Sequence, residues 1–194
     1  MPASPRAGRL LVAAPALGDP NFARSVVLLL EHNDEGSLGV IINRPTDLMV
    51  VEVLDSWSPL ASDPDVVFQG GPVGLDGALA LAALRDRARV GSPADLPQPE
   101  GWRRVYGDLG LVDLDAEPEV LAASLGSLRI FAGYAGWGPH QLEAELAQEA
   151  WYVVDSEPSD AFSAQPERLW GDVLRRQRGE IAFAATRPAD PTLN

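Results

Sequence analysis

Between Phe131 and Leu146 the sequence reads FAGYAGWGPHQLEAEL, and this segment restricts the fold more than any other. An apolar stretch gives way to Gly133, Gly136 and Gly138, which alternate with Tyr134 and Trp137. Glycine permits positive φ and close approach of a neighbouring backbone. Pro139 suits the first turn of a helix, where a missing N–H costs nothing, and Leu142 and Leu146 recur at helical spacing. The pattern predicts a strand over 127–134, a tight glycine turn, and a helix from Pro139.

Around that block, apolar runs and turn residues alternate. Arg9 to Ala14 predicts a first strand, and Leu17–Asn21 a turn. Ser25 to Glu31 holds five consecutive apolar residues from Val26, the signature of a strand covered on both faces. After the polar His32–Gly36, the chain returns from Ser37 to Asn43 as a hairpin. Thr46 is expected to cap a helix whose buried stripe is Leu48, Val51 and Leu54. Strands are predicted over 66–69, 78–84, 109–114 and 151–155, with Ser58–Pro64 as loop. Gly91–Gly101 reads as a surface excursion. Asp115 is expected to cap a helix with Val120, Leu121 and Leu125 inward. The final helix is expected over 166–178, with Leu169, Trp170, Val173 and Leu174 inward and Gly179 as its C-terminal cap. These elements predict one α/β domain over residues 9–180, with a flexible N-terminus (1–8) and a loosely held tail (181–194).

Composition narrows the chemistry. No apolar run approaches the roughly 20 residues of a membrane span, and Met1–Arg9 carries no hydrophobic leader, so a cytoplasmic location away from membranes is expected. Cysteine is absent, which removes thiol nucleophiles and cysteine-held zinc. Every basic residue is arginine, which removes lysine Schiff bases and the P-loop lysine. The two histidines cannot form a three-histidine metal site. The motifs of serine hydrolases, zinc proteases, P-loops and EF-hands are missing, so no cofactor or metal is expected. The net charge of −13 opposes phosphate backbones. The densest arginine cluster, Arg175, Arg176 and Arg178, ends the final helix, where cations complement the dipole. Direct sequence-specific DNA binding is therefore not expected.

Hairpin register supplies the sharpest candidate site. If Glu31 faces Ser37, then Ser25 faces Asn43 and Arg24 lies near Arg44, while His32 sits about 20 Å away. Two neighbouring guanidiniums need a carboxylate or a bound anion between them. Asp19 or Asp47 can supply the first, and that internal network is the preferred expectation over an anion site. Arg24, Ser25, Asn43 and Arg44 are thus the leading contacts for a small anion or a protein partner. His32, Asn33, Gly136, Trp137 and His140 are the weaker candidates. His32 and Asn33 are read first as hairpin-tip residues, and the glycines first as a packing turn rather than a phosphate cradle.

The ordered blocks resemble the YqgE/AlgH family, also called UPF0301. They are Ala14-Pro15 through Asp19-Pro20-Asn21-Phe22, Arg24-Ser25-Val26, Glu31-His32-Asn33, Gly36 through Pro45, Phe68-Gln69-Gly70-Gly71-Pro72-Val73, and Gly133 through Gly138 with Gln141-Leu142-Glu143. Trp151 and Leu169-Trp170 complete a match from about Gly8 to about Gly179. The resemblance implies a bent, partly barrel-like mixed sheet flanked by helices, in a bacterial cytoplasmic protein with no agreed catalytic residues. It also brings the label of a transcriptional regulator, which no DNA-binding motif here supports. At His140 the chain departs from the family's pattern, where a small residue, commonly glycine, is usual. The combined expectation is a non-enzymatic ligand- or protein-binding regulatory module. The alternatives are a regulator that acts indirectly, or an enzyme using His32 or His140 as general acid and base.

Overall fold

The computed structural model describes residues 4–85 and 98–186. Its strands are β1 (Arg9–Ala13), β2 (Val26–Asn33), β3 (Gly36–Ile41), β4 (Pro45–Met49), β5 (Val66–Gln69), β6 (Val73–Leu84), β7 (Trp102–Tyr106), β8 (Leu109–Val112), β9 (Leu125–Trp137) and β10 (Trp151–Asp155). The helices are short: α1 (Val50–Val53), α2 (Pro118–Ala122), α3 (Gln141–Ala147), α4 (Leu169–Arg175) and α5 (Glu180–Ala184).

The strands form one curled, half-barrel mixed sheet in the order β10-β1-β2-β3-β9-β6-β8-β7, with β4 joined through β5. β9 is the spine. Its last residues pair with β3 (Gly39 opposite Ala135), β6 pairs along most of its length from Leu125 to Tyr134 (Leu81 opposite Arg129), and its centre also runs parallel to β5 (Phe68 opposite Phe131). Alternating side chains of β1 and β2 fill two different cores, as the continuous apolar runs predict. Leu10, Val12, Val26 and Leu28 pack with Trp170, Val173 and Leu174 of α4. Leu11, Val27 and Leu29 pack with Trp137, Trp151 and Leu142 of α3 on the opposite face. A third core gathers Trp57, Leu121, Leu128 and Ile130 beneath α2.

Three expectations change. The glycine block is not a turn: β9 runs through it to Trp137. Gly133 (φ +70°) is there because the link between β5 and β6 crosses directly over it. A Cβ on Gly133 would lie 2.7 Å from the Gly71 carbonyl oxygen and 2.8 Å from that of Val73. The Thr46 helix gives way to β4 and one turn of α1, because the Thr46 hydroxyl donates to the Val67 carbonyl (2.6 Å) and ties this segment to β5. Leu48 and Val51, expected inside, are exposed, and Val50 is buried instead. The following helix changes in part: Leu121 is buried as expected, but Val120 is exposed, Leu125 is buried from β9, and the N-cap is Glu117 rather than Asp115.

At the C-terminus α5 packs on α4 and buries Ala184. The expected helix over 166–178 is a 3-10 turn at Pro166–Arg168 followed by α4, which is capped at Arg176, and Gly179 (φ +65°) is the N-cap of α5 rather than the C-cap of α4. Residues 187–194 and most of the expected surface excursion lie outside the described residues. Among the described residues no helix is long and apolar enough to cross a membrane.

Candidate functional site

The base of the β2–β3 hairpin has the expected register, with Val27 opposite Ile41 and Leu28 opposite Val40. Beyond Leu29 a bulge shifts the tip by one residue, so that His32 rather than Glu31 faces Ser37. Asn43 uses its side chain to close the base. Its Oδ1 accepts from Val26 N–H (2.8 Å) and its Nδ2 donates to the Arg24 carbonyl (3.0 Å). This clamp accompanies a left-handed backbone at Arg24 (φ 55°). Ser25 is buried beside it, and its hydroxyl has no hydrogen-bond partner among the described residues.

The two arginines are satisfied differently from the expectation. Arg44 donates to the backbone carbonyls of Asn21 and Ala23. Partial burial lowers its pKa, with Asp19 pulling the other way through space. The Arg24 guanidinium stacks over Trp170 at 4.5 Å from the ring centre, in cation–π contact. Two backbone carbonyls therefore hold Arg44, with Asp19 contributing through space, and Arg24 rests on the Trp170 indole. Beyond Arg44 an open groove of about 580 Å³ is lined by Arg44, Thr46, Asp47, Gln69 and Glu167 among others. Its two carboxylates oppose an anion.

The weaker candidates gather at the other end of the hairpin, around α3. His32 Nδ1 lies 2.8 Å from the Ser37 hydroxyl, and its Nε2 lies 3.6 Å from Glu143. Asn33 shapes the tip, donating to Glu31 and accepting from Glu35 N–H. Gly136 sits opposite Leu38 at the exposed edge of the pairing. Trp137 is buried, with its indole donating to Glu145 Oε2 (2.9 Å). His140 is exposed in the left-handed region (φ 59°), the conformation that glycine adopts freely. His32 and Arg44 thus belong to separate ends of the hairpin.

Two charged residues were missed by sequence reasoning. Glu145 accepts both the Trp137 and Trp151 indoles and the Gln141 amide, so one carboxylate fastens α3 to β9 and β10. The signal was an acid sitting between Leu142 and Leu146. Arg129 is only 1% exposed; it donates to the Asp63 (2.6 Å) and Ser163 (3.2 Å) carbonyls and stacks over Phe68 at 4.1 Å. Burial pushes its pKa down to about 10 against the pull of Asp63. A lone charge inside Leu128–Phe131 was its signal.

A surface feature also escaped the sequence. Leu48, Met49, Val51 and Val53 are each at least 41% exposed, side by side in sequence across β4 and α1. Asp47, Glu52 and Asp55 are exposed beside them, and residues 45–84 contain six acids and no basic residue. β4 pairs only with β5 among the described residues, yet its edge is blunted. Leu48 N–H is taken by the Thr46 hydroxyl and Met49 N–H by Glu52.

A family model described as AlgH-like matches residues 10–182. A UPF0301 protein of Streptomyces avermitilis is 63% identical over 187 residues, covering 96% of this chain and 94% of the relative. One from Thermobifida fusca is 50% identical, with 96% and 94% covered. A crystal structure from Corynebacterium diphtheriae superimposes with a TM-score of 0.87 at 30% identity, covering 96% and 95%. The solution structure of the AlgH protein of Pseudomonas aeruginosa gives 0.66 at 29% identity, covering 97% and 98%. The chain therefore belongs to the AlgH-like, UPF0301 family.

Proposed function

We propose that this protein is a non-enzymatic regulatory module, cytoplasmic, whose contact surface for a protein partner is the apolar patch of Leu48, Met49, Val51 and Val53. The observation that carries this reading is the exposure of those four side chains together on β4 and α1. Contiguous exposed apolar surface rimmed by charge marks interaction sites. The rim of Asp47, Glu52 and Asp55 selects a partner with a basic periphery, and steers it at low ionic strength. Because the β4 donors are already taken, the partner meets side chains and does not add a strand. The small-anion arm of the expectation is weaker, since Arg44 is occupied by two carbonyls and its groove carries Asp47 and Glu167.

The test is a photoreactive residue placed at Val51 in cells, with a second at exposed Val120 as control. A basic protein crosslinked from position 51 only, and lost in a Leu48→Ser/Val53→Ser variant that folds normally, supports the proposal. The same products from both positions refute it, as does crosslinking only to a second copy of the chain.

A second reading rests on His32, held by the Ser37 hydroxyl at 2.8 Å with Glu143 at 3.6 Å on its other nitrogen. That linkage is the geometry of an oriented general acid–base group. A turnover found in a panel of model esters and phosphoesters, and abolished by His32→Gln and by Ser37→Ala, would replace the binding reading.

A further inference from the structure

We infer that the open mouth of the half-barrel holds a binding site for a small primary amine with an apolar body. The site shares no residue with the β4–α1 patch and is independent of the function proposed there. It is a cavity of about 230 Å³ between the β7–β8 turn and the chain that follows β10. Leu28 of β2, Ala83 of β6 and Ala161 form apolar walls, and Tyr106 and Leu109 close the side formed by the turn.

The walls are built rather than accidental. The Tyr106 ring lies so close to Gly8 (φ +83°) that a Cβ there would fall 2.3 Å from it, so only glycine lets the ring settle. Ser156 fastens the neighbouring strand end by donating to the Gly8 carbonyl (2.5 Å). Asp160, although it lines the cavity, is not free. Both its oxygens are held by Arg176 (2.7 and 2.6 Å), and Oδ2 also accepts from Glu157 N–H. That fork fixes the cavity floor and leaves the rim to Asp108 and Glu157.

Charge decides the ligand class. Asp108 is exposed at the rim, and its carboxylate has no ion pair among the described residues. Glu157 touches Arg176 through one oxygen only, at 3.4 Å, and is itself largely exposed. An ammonium is attracted to that rim, and a carboxylate is repelled by it. An apolar cavity of about 150 Å³ takes a benzene ring, so this one takes a ring with about two or three further atoms. A phenylalkylamine matches both constraints, and barrel mouths are common places for such sites. The net charge of −13 favours the approach of a cation.

The experiment titrates 2-phenylethylamine into the full chain and follows backbone amide signals, with phenylacetate and 2-phenylethanol as charge-altered controls. The expected result is saturable movement of Gly107, Asp108 and Ala161 at millimolar amine, no saturation with phenylacetate, and weaker binding of the alcohol. Asp108→Asn, a surface change that leaves the core intact, should weaken the amine about threefold and leave the alcohol unchanged. Ala83→Leu, which fills the cavity, should abolish binding of both. Absence of saturation, equal binding of amine and phenylacetate, or amine binding unaffected by both variants would overturn the inference.

Discussion

Replacing Gly133 and Gly136 separately by alanine tests the central claim about β9, because only Gly133 has a positive φ and backbone crossing over it. At Gly133 a new Cβ meets two backbone carbonyl oxygens at 2.7 and 2.8 Å and Leu75 Cδ2 at 3.0 Å. Backbone oxygens cannot turn away as a side chain can, so the β5–β6 link must lift off β9. Overpacking of that kind costs about 1–3 kcal/mol, and forcing alanine to φ +70° adds about 1–2 kcal/mol. The expected loss is about 2–5 kcal/mol, a large part of the roughly 5–15 kcal/mol that holds a typical domain. At Gly136 the nearest atom to a Cβ is Tyr134 Cε2 at 3.6 Å, an ordinary contact. Alanine there should be neutral or stabilise by up to about 1 kcal/mol, through the unfolded chain. Urea and thermal unfolding of the two variants beside wild type measure both. For a chain of this size Gly133→Ala should lower Tm by about 10 °C, and Gly136→Ala should leave it within about 3 °C. Equal destabilisation by both would restore the glycine-turn reading and refute the crossing. A harmless Gly133→Ala would refute it too.

Glu145→Ala should cost about 2–3 kcal/mol in urea unfolding, because two indole donors and the Gln141 amide lose their shared acceptor. It should also shift tryptophan emission. Asn43→Ala should cost about 2 kcal/mol, and hydrogen exchange at Val26 should quicken while β10 stays protected. His140→Gly relieves a left-handed backbone and should raise stability by up to about 1 kcal/mol, readable as a small rise in Tm. In competition shift assays at about 150 mM salt, promoter and unrelated duplexes should bind equally weakly; a preference of about a thousandfold would contradict the charge argument.

The fold was legible wherever burial alone dictates pattern. Val26–Leu30 and Leu38–Ile42 are apolar on both faces, and β2 and β3 do sit between two cores. The expected register, with Ser25 facing Asn43, holds at the base of the hairpin, while the bulge beyond Leu29 makes His32 and not Glu31 face Ser37 at the tip. What the pattern could not reveal was which apolar residues stay outside. Leu48 and Val51 have the spacing of an inward helical stripe, and Thr46 is a good helix cap. A single long-range bond from Thr46 to Val67 overrides both preferences and turns those side chains to solvent.

The same limit governs charge. Arg24 and Arg44 lie at one end of the hairpin, but Arg44 is held by backbone carbonyls and Arg24 stacks on a distant indole, contacts that carry no sequence signature. Carbonyls of Asn21 and Ala23 hold Arg44 where a carboxylate was sought, and Arg24 stacks on the face of Trp170. Glycine spacing had the same ambiguity, since a tight turn and a crossing strand both ask for a missing Cβ. Only the partner at Gly71 distinguishes them, and it is 62 residues away in the chain. Side chains whose roles depend on such remote contacts are also where this protein's surface chemistry collects. The Leu48–Val53 patch is exposed because of Thr46, and the amine-sized cavity is walled because Tyr106 rests on Gly8. Each surface can therefore be changed at its own residues while the β9 spine, held by other contacts, stays in place.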